Sequence, residues 1–497
     1  MGPAGVFGYI IQREGIELPP YSYGRIRMHI SQRSQLTSGW MIFLLLTVGC
    51  SGGTAELAAT QATSVKTAIT QSLTATFPPT EISPTVIHEI FSPSTIHLLL
   101  ATPLETPPAT LTVCASDCDF TTLQSAIDDP GTRPGAIIEI RDAIHTEAGV
   151  VVTKDVIIRG LGPDKTLVQA HTNMEAATDR VFLIAEDVTA TLAGMVIQHG
   201  NPRPDEYFRC GGGIANLGTL RVDNCVVRNN TANNGGGIWS RNGTLTVINS
   251  TIHHNTADRI AVEEDYLNPA NLSTYACGSG GGIKLVSGGT LQLINSTIRD
   301  NEAKSHGGGV FVACNTTATL TNSTISGNLA TTWGGGLHSK GVLNVSHCTV
   351  VNNRAKAECA AGQLEHRCPK GRGGDGVFVR DTLNVMNTII AHNGRDDCVL
   401  GQPGEYGMLE GGKLGVNANN FFGDGSCEAM FSGDPMLASL ADNGGATETH
   451  ALRDGSPAID ALSGDQCYLP IDQRGLPRFD STDGELRCDI GAFEVQP

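Results

Sequence analysis

The chain has 497 residues, a formal net charge of −17 and 60 glycines, but only 5 % aromatic residues. A chain this acidic repels nucleic acid, and no basic stripe interleaved with aromatics stands out to reverse that. Its 14 cysteines show neither a CxxC pair nor a His-rich spacing, so they point to disulfides in an oxidising compartment rather than to a bound metal.

Residues 1–50 read as an export segment. The apolar run 40–48 follows His29 and Arg33, with Met28 as its natural initiator. It is too short to cross a bilayer and suits a signal-peptide core. The run ends Leu46-Thr-Val-Gly-Cys50, followed by Ser-Gly-Gly. This is similar to the lipobox of bacterial lipoproteins, although Thr47 stands where that motif prefers Leu. The resemblance implies that Cys50 is lipidated and becomes the mature N-terminus, making the lipid the chain's only membrane attachment. The alternative is an ordinary signal peptide cleaved near Cys50. Residues 51–110 are rich in Thr, Ser, Pro and Ala, as in Thr102-Pro-Leu-Glu-Thr-Pro-Pro108. They read as a disordered tether, spanning about 45 Å root-mean-square if flexible.

Folded structure is expected over 111–433. Cys114 and Cys118 are close enough to bridge, and 119–127 has apolar residues at helical spacing. A short helix there would shield the first turn of whatever follows from edge-to-edge pairing. Short strands are expected at 136–140, 150–152, 156–158, 181–184 and 192–197.

From Gly211 to Asn393 one phrase recurs six times, beginning at Gly211, Gly235, Gly280, Gly307, Gly334 and Gly373. Its clearest copy is Gly280-Gly-Gly-Ile283, Gly289-Thr-Leu291, Asn295-Ser-Thr-Ile298, Asp300-Asn301. One column reads Asn224, Asn249, Asn295, Asn322, His347 and Asn387; a second reads Asn230, Asn255, Asn301, Asn328, Asn353 and Asn393. A fixed period of about 25 to 27 residues marks a solenoid with one turn per repeat. Apolar residues alternate in short bursts, as in Leu291, Leu293 and Ile298, so the turns are built of strands. The fold class is therefore all-β: a parallel β-helix with a short N-terminal capping helix. Stacked turns bring equivalent side chains into ladders, in which Asn amides bond up and down the stack. Gly triplets and Asn supply positive φ or close backbone approach at the corners. The sequons Asn249-Ser-Thr and Asn295-Ser-Thr fall in the first column and read as structural asparagines rather than glycan acceptors.

Residues 434–497 do not follow the period. They contain Asp434-Pro, Leu440-Ala-Asp-Asn-Gly-Gly445, Thr449-His-Ala-Leu452, Gly455-Ser-Pro-Ala-Ile-Asp460, Asp472-Gln-Arg-Gly475 and Cys488-Asp-Ile-Gly-Ala-Phe-Glu494. This closely resembles the choice-of-anchor Q domain of bacterial surface proteins, and reads as a distinct C-terminal cap. The repeats, with Gly-Gly-Gly-Ile and Ile-x-x-Asn, resemble the GGAI and FxxN repeats of chlamydial polymorphic outer membrane proteins, with Ile or Val in place of Phe. The resemblance implies a right-handed, pectin-lyase-like β-helix. His450 reads as a buried structural histidine, and Asp480-Ser-Thr-Asp-Gly-Glu485 as a Ca²⁺ loop too degenerate to expect the ion. Otherwise no cofactor and no metal is expected.

The cysteines suggest bridges Cys114–Cys118, Cys210–Cys277, Cys359–Cys368, Cys398–Cys427 and Cys467–Cys488, without fixing the connectivity. The pairs at 277 and 359–368 fall in insertions, 258–277 and 354–372, that would form loops. The candidate site is the ladder one residue beyond each inward Ile, Val or Leu: Ala215, Trp239, Lys284, Phe311, His338 and Phe378. Two positions further stand Leu217, Arg241, Val286, Ala313, Lys340 and Arg380. An outward face of aromatics and cations would stack on sugar rings and pair with uronates or sulfates. Three functions follow: a surface module binding glycans, a lyase or hydrolase of the pectate-lyase kind, or a spacer. No carboxylate stands on the ladder; catalysis would need Glu263, Glu264 and Asp265, or Asp375, Asp396 and Asp397. The chain is expected to be a monomer, exported to the cell surface.

Overall fold

The computed structural model describes residues 109–202, 209–258, 278–356, 373–401, 411–478 and 486–496. Each turn of chain lays down one strand in each of three sheets. Sheet I runs from Thr110–Val113 to Lys413–Ala418, sheet II from Ile144–Thr146 to Phe431–Ser432, and sheet III from Val150–Val152 to Cys398–Leu400. Within every sheet the strands stack in chain order and pair in parallel. In sheet III, Ile214 sits opposite Ile238, then Ile283, Val310, Leu337 and Val377. The regular turns add what the sequence did not foretell, a fourth ladder of two-residue strands from Thr231–Ala232 to Arg354–Ala355 (sheet IV).

One apolar column fills the interior from Val113 to Phe422. A single turn contributes Ile238, Leu245, Val247 and Ile252, all without solvent exposure. Each such side chain stabilises the fold by about 1.5–3 kcal/mol.

Outside the glycine triplets, two corners per turn take the left-handed conformation. The first is the first Asn column, from Asn224 (φ 48°) to Asn387 (φ 50°), with His347 at φ 51°. The second falls at Asn229, His254, Asp300, Gly327, Asn352 and His392, immediately before the second Asn column. That second column turns inward and forms the expected amide row. Nδ2 of Asn230 donates to Oδ1 of Asn255 at 3.0 Å, and the bond repeats through Asn301, Asn328, Asn353 and Asn393. Each receiving Oδ1 also accepts the previous asparagine's backbone N–H. The row ends on the carboxylate of Asp397, 3.0 Å from Asn393 Nδ2. A parallel hydroxyl row runs through Ser250, Ser296 and Ser323. Cys225 and Cys348 occupy equivalent buried positions as free thiols.

The glycine triplets serve both expected purposes. The first glycine has positive φ, from 57° at Gly235 to 68° at Gly280. A Cβ on the second would lie 2.4 Å from the next turn's carbonyl at Gly308. The sixth copy begins at Gly374 (φ 56°), one residue later than the sequence reading placed it. Asp375 then stands where other turns need glycine. No sheet IV strand follows in that turn, and the Asp375 carboxylate accepts the N–H groups of Ala355 and Arg395 instead.

At the N-terminal end, helix α1 (Leu123–Asp128) buries Leu123, Ala126 and Ile127. The Glu147 carboxylate accepts the N–H groups of Leu123 and Gln124 at 2.7 and 2.9 Å, which suits a helix N-terminus. Three expected disulfides are present: Cys114–Cys118, Cys398–Cys427 and Cys467–Cys488. Cys314, not paired in the sequence reading, is also disulfide-bonded. Cys50, Cys277, Cys359 and Cys368 lie outside the described residues.

The C-terminal module folds back along the flank of the solenoid, where the sequence suggested a lid over its end. Two short antiparallel pairs, Leu437–Ala441 with Thr449–Leu452 and Leu462–Ser463 with Arg487–Cys488, frame it. It lies against sheet II. Thr324 Oγ1 donates to Gln473 Oε1 (2.7 Å), whose amide donates to Thr297 Oγ1 (2.9 Å). Ala492 N–H donates to Thr349 Oγ1 at 3.0 Å, and Arg478 donates to Asn322 Oδ1 at 2.9 Å. His450 is the expected structural histidine. Its Nδ1–H donates to the Ala438 carbonyl, so Nε2 accepts from Ser326 Oγ. Thr297 and Thr324, each the threonine of an Asn-Ser-Thr copy, are therefore docking hydroxyls.

Candidate functional site

Burial separates the three flanks. Sheet I keeps solvent on its outer face: Thr219–Asp223 alternates between exposed and buried. Sheet II is open at Thr251–His253 but buried on both faces at Thr324–Ser326, where the module lies. Sheet III is buried on both faces at Ile214–Asn216, Val310–Val312, Leu337–Ser339 and Val377–Val379.

The candidate ladder runs up the outer face of sheet III. Strand pairing places Ala215, Trp239, Lys284, Phe311, His338 and Phe378 in one row, as the sequence implied. The expected open face is not there. Trp239 is 5 % exposed, Lys284 1 %, Phe378 2 %, and Phe311 and His338 not at all. An exposed row of large apolar rings would be costly, so the flank is covered, and these rings are not free to stack on a sugar. Two residues further along each strand, Arg241, Lys340 and Arg380 stay half-buried at the rim of the covered strip.

A second column, which the sequence reading missed, stands beside the ladder. It consists of the residue before the four middle triplets: Asn234, Ser279, His306 and Trp333. The triplets themselves were its signal, since whatever precedes them must recur beside the same ladder. Contacts cross between columns to the next turn. Lys284 Nζ donates to Asn234 Oδ1 at 2.7 Å. The His306 ring lies parallel to His338, centroids 5.0 Å apart, and Trp333 lies 5.9 Å from Phe378. Within the ladder His338 is sandwiched between Phe311 at 5.1 Å and Phe378 at 5.4 Å.

Three cations converge on these rings. The amines of Lys284 and Lys340 lie 5.2 and 5.4 Å from the centroid of Phe311, within cation–π range. Burial, followed by repulsion from Arg380 and Lys284, holds the Lys340 amine well below the ordinary lysine range. Burial, then neighbouring cations, likewise keeps His306 well below the usual imidazole range; for His338 it is burial, then His306 and the cations. Both imidazoles are neutral at pH 7. Thr332 gives its hydroxyl proton to the Ser305 carbonyl, so it accepts from His306, whose proton is therefore on Nδ1. Both ring nitrogens of His338 are buried without a hydrogen bond.

Of the carboxylates proposed as catalytic partners, Asp375 and Asp397 are engaged elsewhere. Asp397 ends the asparagine row, and it and Asp424 each accept the other's backbone N–H on a carboxylate oxygen. Asp375 fills the sixth triplet. Glu263, Glu264 and Asp265, and the whole of Asp480–Glu485, fall outside the described residues. Among the described residues no group of three His, Cys, Asp or Glu side chains is placed to hold a metal ion. The strip offers cations and neutral imidazoles, groups that can pair with an anion.

Residues 208–366 match the family model described as the right handed beta helix region. No curated protein matches the sequence. Among solved structures, the chain is similar to a pectate lyase, Pel9A, at 12 % identity, covering 78 % of this chain and 98 % of that one with a TM-score of 0.43. It is also similar to the PL6 family alginate lyase AlyGC at 12 % identity, covering 75 % of this chain and 58 % of that one, TM-score 0.21. In fold, the chain is a right-handed parallel β-helix.

Proposed function

We propose that this chain is an exported surface protein that binds an acidic polysaccharide along the rim of sheet III. The observation that carries the reading is the convergence of Lys284, Lys340 and Arg380 around Phe311 and His338 in a chain of net charge −17. Cations gathered against the overall charge favour a carboxylate- or sulfate-bearing ligand, and the half-buried Arg241, Lys340 and Arg380 are the groups it would meet. The buried rings hold these side chains in place rather than stacking on sugar. In this reading Cys50 carries the lipid, residues 51–110 lift the solenoid from the membrane, and 434–497 is a choice-of-anchor Q domain laid along the solenoid. The protein acts as a monomer and needs no metal.

The test is affinity of the full chain for polygalacturonate, alginate and a sulfated glycan against a neutral glucan. Acidic polymers should bind in a salt-sensitive manner, and Lys340→Ala with Arg380→Ala should weaken binding at least about tenfold. Equal affinity for the neutral glucan would overturn the reading. Cys50→Ala should release the protein from membranes; unchanged fractionation would remove the anchor.

A second reading, a polysaccharide lyase, is favoured by the Lys340 amine, which burial and then Arg380 and Lys284 make easier to deprotonate than an ordinary lysine. Unsaturated oligosaccharides released by wild type and not by Lys340→Ala would establish it; intact polymer throughout leaves binding alone.

A further inference from the structure

Away from the sheet III strip, a groove of about 350 Å³ opens at the corner between sheets II and IV in the early turns. Its floor is the second left-handed corner, His199, Asn229 and His254, and the outer face of the adjoining sheet IV strands at Thr256; the loop carrying Asn173 and Glu175 forms one wall. Asn173 itself caps the short 3₁₀ turn Met174–Ala176, accepting the Glu175 N–H at 2.9 Å, which fixes that wall.

The polar groups of this groove are not spent on the protein. The Glu175 carboxylate, the Asn229 amide and the Thr256 hydroxyl make no hydrogen bond to any described residue. His199 Nδ1 lies 3.0 Å from the His171 carbonyl, so it carries the proton and leaves Nε2 as an acceptor. His254 is tied through Nδ1 to His253 Nδ1 at 2.7 Å, so its other nitrogen is likewise free to bond. The side chains are thereby oriented from behind while their outward atoms remain available. The set is rich in acceptors, carries one carboxylate and contains no lysine or arginine.

We propose that this groove binds a neutral, hydroxyl-rich ligand of one or two sugar rings, with Glu175 and His199 accepting its hydroxyl protons, His254 bonding through its outer nitrogen, and Asn229 and Thr256 completing the contacts. The volume sits at the lower end of the range of small-ligand sites, which suits a mono- or disaccharide. An acidic sugar is disfavoured by Glu175. This site is therefore complementary in charge to the sheet III rim, and does not depend on it.

The full chain would be titrated calorimetrically with cellobiose, chitobiose and galactobiose, and the imidazole resonances followed by NMR. Two variants leave the fold alone: His254→Asn, because Asn229 and Asn352 hold the same corner with φ of 50° and 58°, and the exposed Glu175→Gln. The expected result is saturable binding of at least one neutral disaccharide, shifted His199 and His254 resonances, and affinity about tenfold lower in each variant. Lys340→Ala should leave it unchanged, which separates this site from the acidic-polysaccharide reading. No binding by any of the three sugars, binding unaltered in both variants, or binding lost only in Lys340→Ala would each overturn the proposal.

Discussion

Asn301 shows how one side chain ties three turns. Its Oδ1 accepts two bonds from Asn255, and its Nδ2 donates to Asn328 Oδ1 and to the carbonyls of Ile252 and Arg299. Asn301→Ala should destabilise the protein by roughly 3 kcal/mol or more in denaturant unfolding, because buried amides of Asn255 lose their acceptor. Asn352, at the neighbouring exposed corner, makes no such row, and Asn352→Ala should cost only about 1–2 kcal/mol of left-handed strain. Gly308→Ala would drive a Cβ to 2.4 Å from the Gly335 carbonyl and should cost about 3 kcal/mol. These roles were legible in the sequence because a residue type repeated in register states its own environment. Asp375 was misread for the same reason: a lone departure is ambiguous until the missing sheet IV strand is seen.

Among elements, the C-terminal module is held by a buried charge network. Arg478 is wholly buried, donating to Asn322 Oδ1, to the Gly491 carbonyl at 2.7 Å, and to Glu494 at 3.4 Å. Burial, then Asp489, pushes the Glu494 carboxyl up to about 9 despite Arg478, so it is protonated at neutral pH. Glu494→Gln should therefore leave stability nearly unchanged, whereas Arg478→Met should lower the module's opening free energy by about 3–5 kcal/mol, read by hydrogen exchange. Asp489 is pushed up to about 6 by burial, then by Asp460. Its folded state holds a proton that the unfolded chain gives up near pH 4, so the stability it contributes falls as pH rises through 4 to 6. Wild type should thus gain on Asp489→Asn as pH is lowered from 7 to 5; a constant difference would contradict this. His450, lowered by burial, acts in the opposite direction, and the paired comparison removes it. The sequence showed that this module leaves the repeat and holds a disulfide. It could not show the docking flank, because the contacts join residues about 150 positions apart, as in Thr324 to Gln473.

For the whole molecule, register governs what can be removed. Deleting residues 214–237 joins Gly213 to Ile238, which already sits opposite Ile214 in the stack. The interior and the module's contacts from Asn295 onward stay intact, so the deleted chain should unfold cooperatively with its module docked. Deleting 310–336 preserves register equally well but removes Asn322, Thr324 and Ser326, and the module should exchange freely in that chain. The candidate strip was half legible on this scale. Alternation placed its side chains on one row, but an outward direction is not an exposed one, and the covering of sheet III left no periodic trace. The asparagine row has a direction: every amide hands its hydrogen to the next turn, and the last hands it to Asp397, a group with nothing to pass on. Such a row has a terminator that works at any length. A lineage could copy a turn anywhere upstream and the new chain would inherit a finished end, so the number of turns is free to drift while the ending stays put.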